Sequence, residues 1–389
     1  MSDLKDIAPS SAKTKKSRPK VRVALFGDFM HYFSGFKLGE LVKGYEWVSD
    51  DERPHVVCAP LISFERLSRQ MDNYEDKTCV KLFFSAENIH RYNFQSGEQE
   101  QNLPLIGLLL AWALKLNVPP PLAVLLFRIL FRFRHIFPRW IMFYRTSFQK
   151  LFEEEVAFAR EHKQAFQIHT NSTSLPRSVS LPYFIHVKNH LKHSIHGGLE
   201  DLYSISDEDL LNRKFCCIVI TNVISCYRIH FALELSKYKH VDVMGRTVLS
   251  NVKPIPKILN QDCFDLHKLY TEYKFVISFE NTPVENYTTE KILLAMMGRS
   301  IPIYWGDPLI CRFFNPKRFI HHKADAKIQD VLDQVKALDQ DDKAYLKCVK
   351  EPFHSPENKL YIQERENKYL KLLKEARTEL EEKIGQGDA

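Results

Sequence analysis

The sequence predicts an α/β protein of two domains, each built on a parallel sheet. Short β-branched and apolar runs occur in two sets, with helix-length stretches between successive runs, the pattern of parallel strands covered on both faces. The chain has 389 residues, enough for two domains that each bury a core. An apolar fraction of 44% with 26% charged residues excludes a mostly disordered chain, but neither an enzyme nor a binding module.

Residues 1–20 carry Lys5, Lys13, Lys15, Lys16, Arg18 and Lys20 against Asp3 and Asp6, and so hold four of the seven net positive charges. Polar and without periodicity, this tail reads as a disordered lead-in. VRVALFG at 21–27, HVVCAPLI at 55–62 and VKLFFS at 80–85 then read as buried strands of a first domain spanning 21–190. The second set begins after a joint near 187–212, with FCCIVIT at 215–221, HVDVMG at 240–245, FVISFEN at 275–281 and IPIYWG at 301–306. These define a second domain over 213–350, and 228–239 has the length and periodicity of a crossover helix. From 356 to 384, Ile362, Tyr369, Leu373, Ala376, Leu380 and Ile384 form one apolar stripe, an amphipathic helix that packs on its own domain or on a partner helix.

An insertion at about 95–165 interrupts the first domain. Within it, 101–150 holds seven Lys or Arg residues and no Asp or Glu, and two apolar runs flank Pro119, Pro120 and Pro121. Neither run reaches the roughly 20 residues that span a bilayer, so a helical hairpin is expected. It either packs on the first domain or lies on a membrane surface, because Trp112, Phe127, Phe131, Phe133 and Trp140 interleave with Arg128, Arg132, Arg134 and Arg139.

Eight cysteines are scattered without metal spacing, which suits reduced, buried thiols. No charged-then-apolar signal segment opens the chain, so the expectation is a cytoplasmic protein, peripheral on a membrane if 101–150 is interfacial. The sequons at Asn171 and Asn286 then carry no glycan.

The stretch 275–306 is the richest in chemistry: strand, polar loop, helix from about Thr289 to Met297 ended by Gly298, then strand. A helix N-terminus presents unpaired N–H groups and partial positive charge, which suits a diphosphate, and Lys291 adds a full charge. A first-turn lysine opposes the helix dipole, so an anionic ligand explains it better than local stability does. Glu290 suits the dipole as a cap-region carboxylate and is also what accepts the two hydroxyl hydrogens of a ribose. Tyr287 is placed to stack on or hydrogen-bond a nucleotide.

FENTPVENYTTEK, followed by a helix and IPIYWG, resembles the donor-binding signature of the α-1,3-fucosyltransferases, bacterial members included. The match runs through Phe279, Glu280, Asn281, Tyr287, Thr289, Glu290 and Lys291, and FNPKRFI at 314–320 is similar as well. Upstream, ITNVISCYR resembles the family segment that supplies an arginine, here Arg228, which the resemblance makes a second cation on the donor phosphates. Asn281, Tyr287, Glu290 and Lys291 become the other donor-binding residues. The likeness covers about 213–345 well and the first half more weakly. There, KLFFSAENI resembles the strand end that carries the family's proposed general base, which falls on Glu87 beside Asn88, and VSLPYFI at 179–185 resembles the strand that closes the domain. The insertion departs from the bacterial pattern.

What the resemblance implies is the GT-B fold, two facing Rossmann-like domains with the site in the cleft. It also implies an inverting transfer of fucose from GDP-fucose to an acceptor glycan, α1,3 to a GlcNAc-containing oligosaccharide. Glu87 would take the acceptor proton, while Arg228, Lys291 and the helix N-terminus stabilise the departing diphosphate. No Asp-x-Asp follows an apolar strand, and Asp207-Glu208-Asp209 reads as a helix start, so no metal and no cofactor beyond the donor is expected. Two other readings stay open: a GT-B transferase for another nucleotide sugar, and a non-catalytic membrane-surface or nucleic-acid-binding protein. Nucleic acid is not an expected partner, since no sheet with interleaved aromatic and basic residues is visible.

Overall fold

The computed structural model of the protein describes residues 20–25, 38–48, 54–60, 79–84, 160–170, 175–194, 198–220, 226–244, 265–281, 283–323 and 325–387, together with Leu122, Leu125, Ile129 and Ala157. The expectations for the basic tail, for Glu87 and Asn88, and for nearly all of 101–150 lie outside these residues.

Two parallel sheets organise the chain. The first contains β1 (Lys20–Leu25), β2 (Glu46–Val48), β3 (Val56–Pro60), β4 (Val80–Phe84), β5 (Phe166–His169) and β6 (Ser178–Ser180), in the order β2-β1-β3-β4-β5-β6. The second contains β7 (Lys214–Val219), β8 (Val241–Met244), β9 (Tyr273–Phe279), β10 (Ile301–Trp305) and β11 (Ile320–His321), in the order β11-β10-β9-β7-β8. Strands β4 and β10 are buried at every position, as parallel strands covered on both faces must be.

Eight helices are complete among the described residues: α1 (Tyr183–Ser194), α2 (Asp207–Leu211), α3 (Cys226–Ser236), α4 (Leu266–Tyr270), α5 (Glu290–Met297), α6 (Ile328–Gln340), α7 (Asp342–Lys350) and α8 (Pro356–Gly387). Asp207, Glu208 and Asp209 form the first turn of α2, where carboxylates suit the dipole, and Ser206 caps it by accepting from the Asp209 N–H at 3.1 Å. Among the described residues no helix is long and apolar enough to cross a membrane.

One expected strand is corrected. The 179–185 segment extends only as β6, then turns at Leu181-Pro182 into α1. Pro182 offers no N–H to a ladder and is preset for a helix start, and the Ile185 N–H already bonds the Pro182 carbonyl at 3.0 Å. Phe184, Ile185, Val187 and Leu191 bury the resulting face.

Helix α1 lies where the two halves meet. The Phe184 N–H bonds the Thr288 carbonyl at 3.1 Å, and its ring packs on Phe313 and Phe314 at 5.4 and 4.8 Å between centroids. Helix α8 joins the halves a second time. It starts on the second domain, where Asn358 Nδ2 donates to the Cys311 carbonyl at 2.9 Å. It ends on the first, where Lys383 Nζ donates to the Cys79 carbonyl at 2.8 Å and Glu379 pairs with Arg177. Ile362, Tyr369, Leu373, Ala376 and Leu380 are all buried, in one core with Leu82, Phe84, Phe166 and Ile168 of the first sheet. The stripe thus covers the other domain's sheet as well as its own domain's edge.

Candidate functional site

In the second sheet the chain runs from β7 outward to β8, then returns past β7 to β9, so the strand order reverses between β7 and β9. Crossovers leave this point in opposite directions, which opens a crevice at the carboxyl ends of the two strands, where ligands of open α/β sheets bind. Arg228 follows β7 in the first turn of α3, and Glu280 to Lys291 follow β9. Tyr227, beside Arg228, stacks on Phe279 with centroids 6.1 Å apart, and its hydroxyl meets His322. That contact ties the start of α3 to the end of β9.

Glu280 organises the loop. Fully buried, it accepts from the Thr289 N–H at 2.8 Å and the Thr289 hydroxyl at 2.7 Å, and it pairs with Lys291 Nζ at 3.1 Å. Burial pushes its carboxyl above the usual range, while Lys291 and the Thr289 bonds pull it back. Lys291 also donates to the Thr289 hydroxyl at 2.7 Å and lies 3.7 Å from Glu290. The first-turn lysine, which the sequence assigns to an anionic ligand, therefore has protein anions as partners. Its side chain is 24% exposed.

A second carboxylate holds the other side of the turn. Asp307, just past β10, is fully buried and accepts from the Thr288 hydroxyl and the Leu309 N–H, both at 2.8 Å, and from the Asn286 backbone. Its own N–H bonds the Tyr304 hydroxyl at 3.1 Å. Burial raises the Asp307 carboxyl to about 6 against the pull of these hydrogen bonds. The approach of β9 and β10 here needs glycine: a Cβ on Gly306 would lie 2.5 Å from Glu280 Cγ and 2.8 Å from the Tyr304 hydroxyl.

Between the two carboxylates Asn286 takes a left-handed φ of 63°, a conformation asparagine tolerates, and is itself buried, so its sequon is closed off in the fold. Tyr287 is 1% exposed, and its hydroxyl accepts from Asn281 Nδ2 at 3.4 Å, which makes it a wall of the site more than an open stacking platform. Of the expected donor residues, the structure gathers Asn281, Tyr287, Glu290 and Lys291 around one turn. Arg228 lies on the neighbouring crossover, 3% exposed. Glu87 falls beyond the end of β4, outside the described residues. Sequence reasoning missed Thr288 and Asp307. The available signal was an aspartate immediately after a buried strand, at the same sheet edge as the β9 loop.

Comparison with known proteins adds an independent line. Residues 211–372 match the family described as glycosyltransferase family 10 (fucosyltransferase), C-terminal part. A putative fucosyltransferase of Acanthamoeba polyphaga mimivirus is 34% identical over 145 residues, 36% of this chain and 24% of that protein. The alpha-(1,3)-fucosyltransferase FucT of Helicobacter pylori is 33% identical over 163 residues, 41% of this chain and 32% of its own length. GDP-fucose protein O-fucosyltransferase 3 of Xenopus tropicalis is 24% identical over 247 residues, 59% of this chain and 48% of its own. The chain thus spans between about a quarter and a half of the length of these relatives.

A crystal structure of an alpha1,3-fucosyltransferase superposes with a TM-score of 0.55 at 17% identity, covering 94% of this chain and 93% of that one. Another, with GDP-fucose, gives 0.51 at 18% identity, covering 94% of each. At such identity the likeness speaks for fold, and it makes the two parallel-sheet halves a GT-B architecture. Residues 211–372, the segment that carries the site, are thus similar to the C-terminal part of glycosyltransferase family 10, the fucosyltransferases.

Proposed function

We propose that the protein is an inverting transferase that moves fucose from GDP-fucose to a hydroxyl of an acceptor glycan, α1,3 to a GlcNAc-containing oligosaccharide. The observation that carries this reading is the Phe279–Lys291 constellation at the strand-order reversal of a domain similar to family 10. In the reaction an acceptor oxygen attacks the anomeric carbon, the bond to the diphosphate breaks, and the diphosphate leaves with the electron pair. Arg228, Lys291 and the amino end of α5 meet that charge, Glu290 accepts ribose hydroxyl hydrogens, and Glu87 takes the acceptor proton. Relatives named for protein O-fucosylation make a protein hydroxyl the competing acceptor class, which an array of glycans and folded protein modules with labelled GDP-fucose separates.

The first test is calorimetry of the whole chain with GDP-fucose. Lys291→Ala and Arg228→Ala should each raise the Kd by roughly 10–150-fold, about 1.5–3 kcal/mol for a charge-assisted hydrogen bond, with circular dichroism unchanged. If neither variant shifts the Kd, the donor site is elsewhere. Tighter binding of another nucleotide sugar would favour the second transferase reading, and binding of a polynucleotide alone would favour the non-catalytic one.

A membrane surface is the proposed second partner. Leu122, Leu125 and Ile129, spaced three and four apart on one helical face, are 56%, 53% and 47% exposed, in a segment with seven cations and no acid. Vesicles containing phosphatidylserine should sediment the protein at low salt and release it as salt rises, and deletion of 101–150 should abolish this. Equal sedimentation with and without the segment would return it to an ordinary packed insertion.

A further inference from the structure

The turn between α5 and β10 draws three arginines together. Arg213, in the link from α2 to β7, donates through Nη1 to the carbonyls of Arg299 at 2.7 Å, Gly298 at 3.2 Å and Tyr273 at 3.5 Å. Arg318, just before β11, donates through Nη1 to the Ser300 carbonyl at 2.9 Å. Arg299 lies in the turn itself and donates through Nη1 to the Glu200 carbonyl at 3.5 Å. The charge of Arg299 works against both Arg213 and Arg318. Tyr345 of α7, fully buried, closes the cluster: burial pushes its phenol up to about 12, while Arg213 and Arg318 pull it back. Glu200 attracts Arg318 and Asp209 attracts Arg213 from a distance, and among the described residues no carboxylate pairs with any of the three guanidinium groups.

Cations at the carboxyl end of a helix meet free carbonyls and the negative end of its dipole, which accounts for the Nη1 atoms. Five buried polar atoms of the same cluster have no hydrogen-bond partner: Arg213 Nη2, Arg299 Nε, Arg318 Nε and Nη2, and the Tyr345 hydroxyl. Arg318 carries the heaviest cost. Its side chain is fully buried, and burial pushes the guanidinium down to about 10, so it stays charged at neutral pH. Carbonyl oxygens do not neutralise a buried cation, and a donor left unpaired adds to the expense of burying it. Nε and Nη2 form the edge of a guanidinium that grips an oxyanion by two parallel bonds, and on Arg318 that edge is unused.

We propose that this cluster is a binding site for a small inorganic oxyanion of the phosphate class, gripped by the free edge of Arg318 and by Arg213, Arg299 and the Tyr345 hydroxyl. The anion supplies the missing counter-charge and acceptors for the orphaned donors in one step. Arg318 and Tyr345 form the closed end of the site, and the half-buried Arg213 and Arg299 form its rim. The turn is fixed before any ligand arrives. The Ser300 hydroxyl bonds the carbonyls of Tyr270 and Tyr273 at 2.6 and 2.7 Å, and a Cβ on Gly298 would lie 2.6 Å from Tyr270 Cβ and 2.8 Å from the His267 carbonyl.

This site is not the donor crevice. Arg213 precedes β7, Tyr273 opens β9 and Ser300 precedes β10, so the cluster lies at the amino edge of the second sheet, whereas Glu280 and Lys291 follow the carboxyl end of β9. The seven residues of β9, at about 3.3 Å each, put about 20 Å between the two edges. Helix α5 runs the same way, from Lys291 in its first turn to Gly298 at its C-cap. The anion site therefore stands whether or not the donor reading holds.

The test is calorimetric titration of the whole chain with inorganic phosphate in an organic buffer, with GDP in excess so that the cations around Lys291 are occupied. Wild type should bind phosphate saturably. Arg299→Gln, at a half-buried position, should raise the Kd at least about tenfold, the loss of one charge-assisted hydrogen bond, and Arg318→Met should abolish binding. Lys291→Ala should leave it unchanged. Thermal melting gives a second readout. Phosphate strengthens any fold by exclusion from its surface, so the quantity that counts is the difference: wild type should gain more in melting temperature than Arg299→Gln or Tyr345→Phe, which carry the test if Arg318→Met does not fold. Sulfate should replace phosphate, and chloride, with one atom to offer the guanidinium fork, should bind more weakly. Absence of saturable phosphate binding, equal affinity in wild type and Arg299→Gln, or chloride binding as tight as phosphate would each overturn the proposal.

Discussion

Glu87→Gln should keep GDP-fucose affinity near the wild-type value and cut turnover by roughly 10²–10⁴-fold, the usual contribution of a positioned general base. A glutamine holds the shape of the side chain but takes no proton. Glu87 follows the end of β4 by three residues in sequence, in the first half of the chain, whereas the expected donor residues follow β7 and β9 in the second. Glu280 is the obvious rival by residue type. It is a poor one in fact, because it is fully buried and its oxygens already serve Thr289 and Lys291. Single-turnover assays with the variant decide the matter: transfer at near wild-type rate would disqualify Glu87 as the base.

Glu280→Ala should have the largest effect on stability. It strips an acceptor from the Thr289 N–H, from the Thr289 hydroxyl and from the Lys291 ammonium at once. Losing one partner of a buried pair costs about 3–5 kcal/mol. Lys291 is a quarter exposed and recovers some hydration, so about 3 kcal/mol is expected. Donor binding should be lost as well, because the start of α5 is no longer pinned. The double change Glu280→Ala with Lys291→Met should restore part of the melting temperature without restoring binding. A single variant that melts within a degree of wild type would show that the pair contributes little.

The second half was the more legible in sequence, for a physical reason. Its strands are largely apolar: the run read at 275–281 is β9 at Tyr273–Phe279, and that at 301–306 is β10 at Ile301–Trp305. The helix read from Thr289 is α5, with Thr289 as its N-cap and Gly298 as its C-cap. Three strands stayed hidden. In β5, Gln167 and His169 alternate with Phe166 and Ile168 and look like a polar segment, yet both are fully buried and bond each other at 3.1 Å, and Gln167 Nε2 donates to the His162 carbonyl at 3.2 Å. Strands β2 and β11, at three and two residues, are too short to leave a pattern.

In the site, the motif spacing revealed which residues gather but not how they divide the work. The Glu280–Lys291 pair joins a strand end to a helix start eleven positions on, and the Thr288–Asp307 bond spans nineteen. Neither contact follows from local periodicity.

The path of α8 means that the order of the chain and the order of the folded layers disagree. Helix α8 follows both sheets in the chain yet supplies part of the first domain's interior, so the amino-terminal half remains unfinished until α8 has been made. A fragment ending near 350 would expose the faces of Leu82, Phe84, Phe166 and Ile168 that Tyr369, Leu373, Ala376 and Leu380 cover in the intact chain. Two pieces separated by a cut between the sheets would, by the same contacts, remain one particle.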